Sequence, residues 1–131
     1  MVTLIGMGSG SWEALSVQAQ DAVRRAGLVF GAKRLLAGLP PECTARQFAL
    51  YQPAEILETL AQAPGQDAAV LYSGDTGFYS GASGLLTPLR ALGIPARVYP
   101  GVSSIQLLAA ALGRPWQDWK LVSAHGCACD P

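Results

Sequence analysis

The sequence predicts an α/β domain of three layers, in which a five-stranded, mainly parallel sheet lies between two layers of helices. Short apolar segments alternate along the chain with segments of helical period, and turns that contain Gly or Pro separate them. Most of the short segments are apolar throughout, which is typical of strands buried on both faces of a parallel sheet. Right-handed crossovers through helices join such strands.

The strands are predicted from short runs rich in Val, Leu, Ile and Ala. The segments with this pattern are 2–5, 28–30, 45–50, 68–72 and 96–99, and 121–123 is one further candidate. Segment 45–50 departs from the pattern because Arg46 and Gln47 interrupt it. No internal repeat and no linker divides the chain.

Helices are predicted between these strands, including a short one within 31–39. Ser16 is suited to cap the first helix and Gly27 to end it. Pro53 suits the first turn of a helix, Pro88 predicts a kink, and Gly113 is suited to close the last helix. The apolar faces expected to pack on the sheet are Ala19, Val23 and Ala26; Ile56, Leu57, Leu60 and Ala61; Leu85, Leu89 and Leu92; and Ile105, Leu108, Ala109 and Leu112.

Composition excludes several classes of protein. The 131 residues include 9 Lys and Arg against 9 Asp and Glu, so the formal net charge is zero. Without a cluster of cations the chain has no electrostatic footprint for nucleic acid or an anionic membrane. Disorder and collagen are excluded because half of the residues are apolar. No apolar run approaches the roughly 20 residues of a membrane span, so a soluble, cytoplasmic protein is expected.

The low charge also predicts a partner. Only 14% of the residues are charged, whereas an average domain has roughly 25%. A small domain has a large surface, so part of this surface is expected to be covered by another molecule or subunit. Trp12, Trp116 and Trp119 are candidates for such an interface.

The cysteines indicate a reducing compartment and no metal site. There are three of them, an odd number, and none forms a C-x-x-C pair. His125 lies close to Cys127 and Cys129, but no second ligand pair stands at zinc-site spacing. We therefore expect no metal.

Three loops rich in Gly and Ser follow predicted strands, at 6–11, 73–80 and 100–104. Open parallel sheets bind ligands beyond the carboxyl ends of their strands, so these loops predict a binding site. The first loop fails the dinucleotide fingerprint because Ser11 stands where the third glycine is needed. A P-loop and a Ser-His-Asp triad are excluded as well, since no G-K-S/T occurs and His125 is the single histidine.

The same loops resemble the three signatures of the tetrapyrrole methylase family. The matching segments are 4–8 (LIGMG), 73–80 (SGDTGFYS) and 99–104 (YPGVSS), with 115–118 (PWQD) and 123–126 (SAHG) downstream. Thr76 departs from the family's usual proline, and 8–11 (GSGS) departs from Gly-Pro-Gly-Asp. The Gly-Phe-Tyr-Ser form is most similar to the branch that methylates C5 of the corrin ring, with precorrin-6Y or a cobalt-precorrin as substrate.

The resemblance implies a methyltransferase that uses S-adenosylmethionine and needs no protein nucleophile. The residues that match the family's cofactor-binding positions are Ser9, Gly74, Asp75, Phe78, Ser103 and Ser104. Gly8 and Tyr79 match positions near the tetrapyrrole, and Arg34, Arg46 and Arg97 are candidates to meet its carboxylates. A catalytic residue cannot be assigned.

The resemblance also implies a second, C-terminal domain, with the cofactor in the cleft between the two. We expect residues 1–126 to be the N-terminal domain, 127–131 the start of a linker, and the C-terminal domain to be absent from this chain. A homodimer is expected, and any C15 methylation and decarboxylation would belong to a separate or fused module.

Other interpretations remain open. Asp75 is suited to capping the turn before the next helix, and either Ser103 or Ser104 is a natural N-cap. An alternative interpretation of the whole chain is a non-catalytic fragment that folds and dimerises. A third interpretation is a sister methylase with the same scaffold, such as diphthine synthase or the ribosomal-RNA ribose methylase, although segment 78–80 argues against both.

Overall fold

A five-stranded sheet forms the centre of the computed structural model, which describes residues 1–78 and 80–122. The strands are β1 (Val2–Gly6), β2 (Leu28–Phe30), β3 (Arg46–Phe48), β4 (Ala68–Tyr72) and β5 (Ala96–Tyr99). Their order is β3-β2-β4-β1-β5, and each of the four strand pairs is parallel. The predicted α/β class is confirmed, and the third strand forms despite Arg46 and Gln47 because it lies at an edge of the sheet, where its side chains remain partly in solvent.

The described residues form five α-helices, of which four lie between strands and the last follows β5. They are α1 (Val17–Arg25), α2 (Lys33–Leu36), α3 (Pro53–Ala61), α4 (Ala82–Ala91) and α5 (Ser104–Leu112), and a short 3₁₀ helix (Trp12–Ala14) precedes α1. The Oγ of Ser16 accepts a hydrogen bond from the backbone N–H of Ala19 at 3.2 Å, so the predicted cap is confirmed. Pro53 is the first residue of α3, and Gly113 closes α5 in the left-handed conformation.

Two apolar cores lie on opposite faces of the sheet. Successive residues of β1 point to opposite faces, so Ile5 packs with α1 and α2 in one core, while Leu4 packs with α3 and α4 in the other. Both residues are fully buried. The two-sided burial confirms the three-layer arrangement and accounts for strands that are apolar throughout.

Three local expectations were wrong. Helix α1 ends at Arg25 because Ala26 takes an extended conformation, so a left-handed Gly27 is not used. Residues 121–122 belong to no strand, and position 123 of that candidate lies outside the described residues. Trp12 lies in the first core rather than at an interface, with the Arg24 guanidinium 5.4 Å from its ring centre.

The last helix leaves most of its apolar face uncovered, contrary to expectation. Within α5 only Ala109 is buried, whereas Leu108 and Leu112 are each at least half exposed. The reason is positional: β5 is an edge strand, so α5 has little sheet to pack against. Leu92, at the end of α4, is exposed as well. Among residues 1–78 and 80–122, no helix is long and apolar enough to cross a membrane.

Candidate functional site

The three Gly-rich loops meet at the carboxyl edge of the sheet, as predicted, because β4, β1 and β5 are neighbours. The N–H of Met7 donates to the carbonyl of Tyr72 at 2.7 Å. Beyond it, Gly8 and Gly74 exchange two backbone hydrogen bonds, of 3.1 and 2.9 Å. The first and second loops are thus joined along their backbones, without side chains between them.

Glycine is required where these backbones cross. A Cβ on Gly6 would lie 2.6 Å from the backbone nitrogen of Gly101 and 2.7 Å from the carbonyl oxygen of Gly74. A Cβ on Gly101 would overlap that same oxygen. In addition, Gly8 and Gly74 have φ of 58° and 65°, which L side chains rarely adopt. These glycines are therefore required for the packing of the loops, whether or not a ligand binds.

The carboxylate of Asp75 links the second loop to the third by hydrogen bonding. Its Oδ1 accepts a hydrogen bond from the N–H of Gly101 at 3.0 Å, and its Oδ2 accepts one from the N–H of Gly77 at 3.1 Å. Beside it the hydroxyl of Thr76, which is buried, donates to the carbonyl of Tyr99 at 3.3 Å. Thr76 thus links this turn to β5 through a hydrogen bond. The proline that is usual in the family has no hydroxyl and could not form this bond.

Ser103 and Ser104 have different environments although they are neighbours. Ser103 is buried and caps α5 in a capping box: its Oγ accepts from the N–H of Gln106 at 3.3 Å, and the Gln106 side chain accepts from the N–H of Ser103 at 2.8 Å. Ser104 is exposed at the first position of the helix, and its hydroxyl has no partner among the described residues.

An open cleft of about 660 Å³ lies over these loops. Seven of the residues predicted for the cofactor or substrate line it: Gly8, Ser9, Gly74, Asp75, Phe78, Ser103 and Ser104. The eighth, Tyr79, lies outside the described residues. The lining also includes four apolar residues for which the sequence predicted no role in the site: Ile105, Leu107, Leu121 and Val122.

A smaller cavity of about 380 Å³ adjoins the cleft and shares Asp75, Phe78 and Ser103 with it. Trp116 lines this second cavity, which places one of the predicted interface tryptophans beside the site. Trp119 is half-buried and lines neither cavity.

Of the three arginines predicted to meet carboxylates, one lines the cleft. Arg34 lies there, whereas Arg46 stacks on Phe48 at the far edge of the sheet, 5.3 Å from the ring centre. Arg97 lies over the ring of Tyr99 at 5.5 Å and donates to the hydroxyl of Thr3 at 3.5 Å. Arg34 and Asp75 are the charged residues among the described lining of the cleft.

The titratable groups near the cleft do not form an acid-base centre. Burial raises the pKa of Tyr72, at the carboxyl end of β4, to about 12, so its phenol is neutral at physiological pH. No group of three or more His, Cys, Asp or Glu side chains gathers in the part of the chain that the structure describes. His125, Cys127 and Cys129 lie outside that part. The described lining of the cleft therefore consists of backbone groups, hydroxyls, apolar side chains and the charged groups of Arg34 and Asp75.

Fold and site together define an α/β domain with an open cleft at the carboxyl edge of its parallel sheet, where open parallel sheets bind ligands. The family model "Tetrapyrrole (Corrin/Porphyrin) Methylases" matches residues 1–131. The chain belongs to this family.

The names of relatives within the family give different ring positions for methylation. The chain is 34% identical over 128 residues to the cobalt-precorrin-7 C(5)-methyltransferase of Salmonella typhimurium, covering 96% of this chain and 62% of the relative. It is 34% identical over 120 residues to the precorrin-4 C(11)-methyltransferase of Mycobacterium tuberculosis, covering 86% and 48%. The chain thus spans less than two thirds of the length of these relatives.

Among solved structures, the uroporphyrin-III C-methyltransferase of Thermus thermophilus in complex with S-adenosylhomocysteine has a similar fold. The TM-score is 0.66 with 25% sequence identity, over 84% of this chain and 47% of the other.

Proposed function

We propose that this chain forms the S-adenosylmethionine-binding part of a C-methyltransferase that acts on a corrin-ring precursor. The single observation that carries the proposal is the convergence of the three family signatures on one cleft. The chain's membership of the tetrapyrrole methylases supports the cofactor, because a relative of the same fold was crystallised with S-adenosylhomocysteine.

The cleft suits such a cofactor chemically. A sulfonium group needs nearby oxygen atoms, and the backbone carbonyls of the joined loops and the Asp75 carboxylate supply them. Each Asp75 oxygen already accepts one hydrogen bond and retains a lone pair for another. We assign the cofactor contacts to the residues that match the family's cofactor-binding positions and line the cleft: Ser9, Gly74, Asp75, Phe78, Ser103 and Ser104.

When bound, the cofactor supplies an electrophilic methyl group for direct displacement by an electron-rich ring carbon. The chain's own contribution is positioning: rigid loops hold the two reactants in line, and apolar residues such as Phe78 and Leu107 exclude water. Ser104 offers a hydroxyl and Ser9 a flexible polar side chain at the rim. No general base is assigned.

For the position of methylation we propose C5, on precorrin-6Y or cobalt-precorrin-7. The support is the Gly-Phe-Tyr-Ser form of residues 77–80, together with the C5 relative, which matches more of the chain than the C11 relative does. We further propose that residues 1–126 are the N-terminal domain of the enzyme, with Gly8 and Tyr79 beside the tetrapyrrole.

Calorimetric titration with S-adenosylhomocysteine tests cofactor binding, and NAD is the control ligand because the dinucleotide fingerprint is incomplete. We expect binding of S-adenosylhomocysteine with one site per chain and no heat from NAD. Absence of heat at millimolar S-adenosylhomocysteine would instead support the alternative of a non-catalytic domain that folds and dimerises, which the exposed face of α5 favours.

Since the isolated chain is expected to be inactive without the second domain, a methyl-transfer assay of a full-length form with precorrin-6Y, cobalt-precorrin-7 and precorrin-4 tests the substrate. We expect one methyl group to be added at C5 of one of the first two and none to precorrin-4. Methylation of precorrin-4 at C11 would contradict the proposed position without affecting the cofactor.

A further inference from the structure

We infer that Arg34 is the residue of this cleft that binds a carboxylate on the rim of the tetrapyrrole and so helps to select a polyanionic macrocycle. The inference rests on the proposed function and goes beyond it, because it assigns substrate recognition to one side chain. The sequence contains three arginines that are candidates for this role, and the structure places one of them, Arg34, at the cleft.

Arg34 differs from the other two arginines in its position. Arg34 lines the cleft together with Gly8, Ser9 and Asp75. Arg46 and Arg97 line neither this cleft nor the smaller cavity beside it. Both lie over aromatic rings instead, on the two edge strands β3 and β5.

The charge of the Arg34 guanidinium is available to a ligand. Arg34 has no ion pair, hydrogen bond or ring contact with any residue in 1–78 or 80–122 through its guanidinium, whereas Arg24 pairs with both Asp21 and Glu42. The other charged group of the cleft, Asp75, is hydrogen-bonded to two backbone N–H groups. The guanidinium is therefore the cleft's free cation among the described residues, and its fork matches a carboxylate with two parallel hydrogen bonds.

The backbone around Arg34 is held in place by packing on both sides of the chain. The two residues that follow Arg34, Leu35 and Leu36, are buried in the first core. One turn later the backbone of Gly38 packs so closely on the first loop that a Cβ there would lie 2.7 Å from the carbonyl oxygen of Gly10. The backbone that carries Arg34 is thus fixed against the loop that contains Gly8 and Ser9.

Lys33 provides a matched control, because it is the adjacent residue of α2, is also exposed and cationic, and does not line the cleft. Arg34→Gln and Lys33→Gln change the net charge equally. Uroporphyrin, whose rim carries acetate and propionate groups, is a fluorescent probe of macrocycle binding, and S-adenosylhomocysteine is the probe of cofactor binding.

We expect Arg34→Gln to weaken uroporphyrin binding by about tenfold, as for loss of a charge-assisted hydrogen bond. Lys33→Gln should change it by less than about twofold, Arg34→Lys should have an intermediate effect, and S-adenosylhomocysteine should bind all four proteins alike. Thermal melts by circular dichroism check that the variants fold.

Three outcomes would overturn the inference: equal effects of Arg34→Gln and Lys33→Gln on uroporphyrin, loss of S-adenosylhomocysteine binding in Arg34→Gln, or no binding of uroporphyrin by the unmodified protein. Failure of the unmodified protein to bind S-adenosylhomocysteine contradicts the proposed function instead. The two failures are distinguishable because uroporphyrin binding is measured without cofactor.

Discussion

The carboxylate of Asp75 holds the backbone of Gly101, with 3.0 Å between Oδ1 and the amide nitrogen. Since the other carboxylate oxygen accepts from Gly77, this one side chain sets the distance between the loops that follow β4 and β5. Its two interpretations are therefore compatible: Asp75 stabilises the turn, and the same bonds present the loops on which the proposed cofactor contacts lie.

Replacing Asp75 with Asn should destabilise the loops. An amide nitrogen cannot accept a hydrogen bond, so one backbone N–H loses its partner, at a cost of about 1 kcal/mol in the free energy of unfolding. We also expect weaker binding of S-adenosylhomocysteine. Urea denaturation and calorimetry measure the two effects. Asp118→Asn is the control, because Asp118 is exposed and lines neither the cleft nor the smaller cavity; equal losses in both variants would show that Asp75 has no special role.

Gly101→Ala should be far more damaging than the same change elsewhere. The added methyl group would meet the carbonyl oxygens of Gly6 and Gly74, which are backbone atoms and cannot rotate away. We expect a loss of about 3 kcal/mol in the free energy of unfolding. Gly84→Ala on α4 meets only Pro53 at ordinary contact distance, and should stabilise the protein by up to about 1 kcal/mol through helix propensity. A Gly101→Ala protein as stable as the unmodified one would contradict the crossing of the three loops.

The two serines at the start of α5 allow capping and ligand binding to be separated. Ser103→Ala removes the cap and should lower the free energy of unfolding by about 1 kcal/mol. Ser104→Ala should leave stability unchanged, because its hydroxyl has no partner in the described chain, but should weaken S-adenosylhomocysteine binding. Denaturation and calorimetry on both variants test this. Unchanged cofactor affinity in Ser104→Ala would remove Ser104 from the proposed site.

Sequence reasoning predicted the strands and the position of the cleft because both depend on local patterns. Apolar runs determine burial, and glycine-rich turns after strands of a parallel sheet meet at one edge. It did not decide which serine caps α5, since both have a suitable side chain, and it gave Leu121 and Val122 no role in the cleft. Those outcomes depend on how distant segments pack.

The α5 helix shows the same limit for burial. Its apolar positions recur at helical spacing, which predicts an inward face, yet the helix follows an edge strand and leaves Leu108 and Leu112 exposed. The periodicity of a helix shows that one of its faces is apolar, but it does not show which part of the protein covers that face. Arg34 is a parallel case, because the sequence places it among three candidate arginines and only the fold places it in the cleft.

We expect the exposed face of α5 to be the contact surface of the homodimer predicted from the sequence. We propose a second copy as its partner, so the protein should sediment as a dimer, and Leu108→Glu should shift it to a monomer by placing a charge on the apolar face. Val17→Glu is the matched control, since Val17 is 69% exposed and lies on α1. A monomeric unmodified protein, or a dimer that survives Leu108→Glu, would contradict this arrangement.

Tyr72 should make the protein sensitive to alkaline pH. Burial raises the pKa of its phenol from 10.0 to about 12 in the folded state. Between these values the unfolded chain has lost a proton that the folded chain retains, so the stability present below the unfolded value declines as the pH rises toward the folded one. Urea denaturation at several pH values should show a steeper decline above pH 10 in the unmodified protein than in Tyr72→Phe. Tyr51→Phe should decline like the unmodified protein because Tyr51 is exposed. Parallel curves for Tyr72→Phe and the unmodified protein would show that the phenol ionises equally in both states.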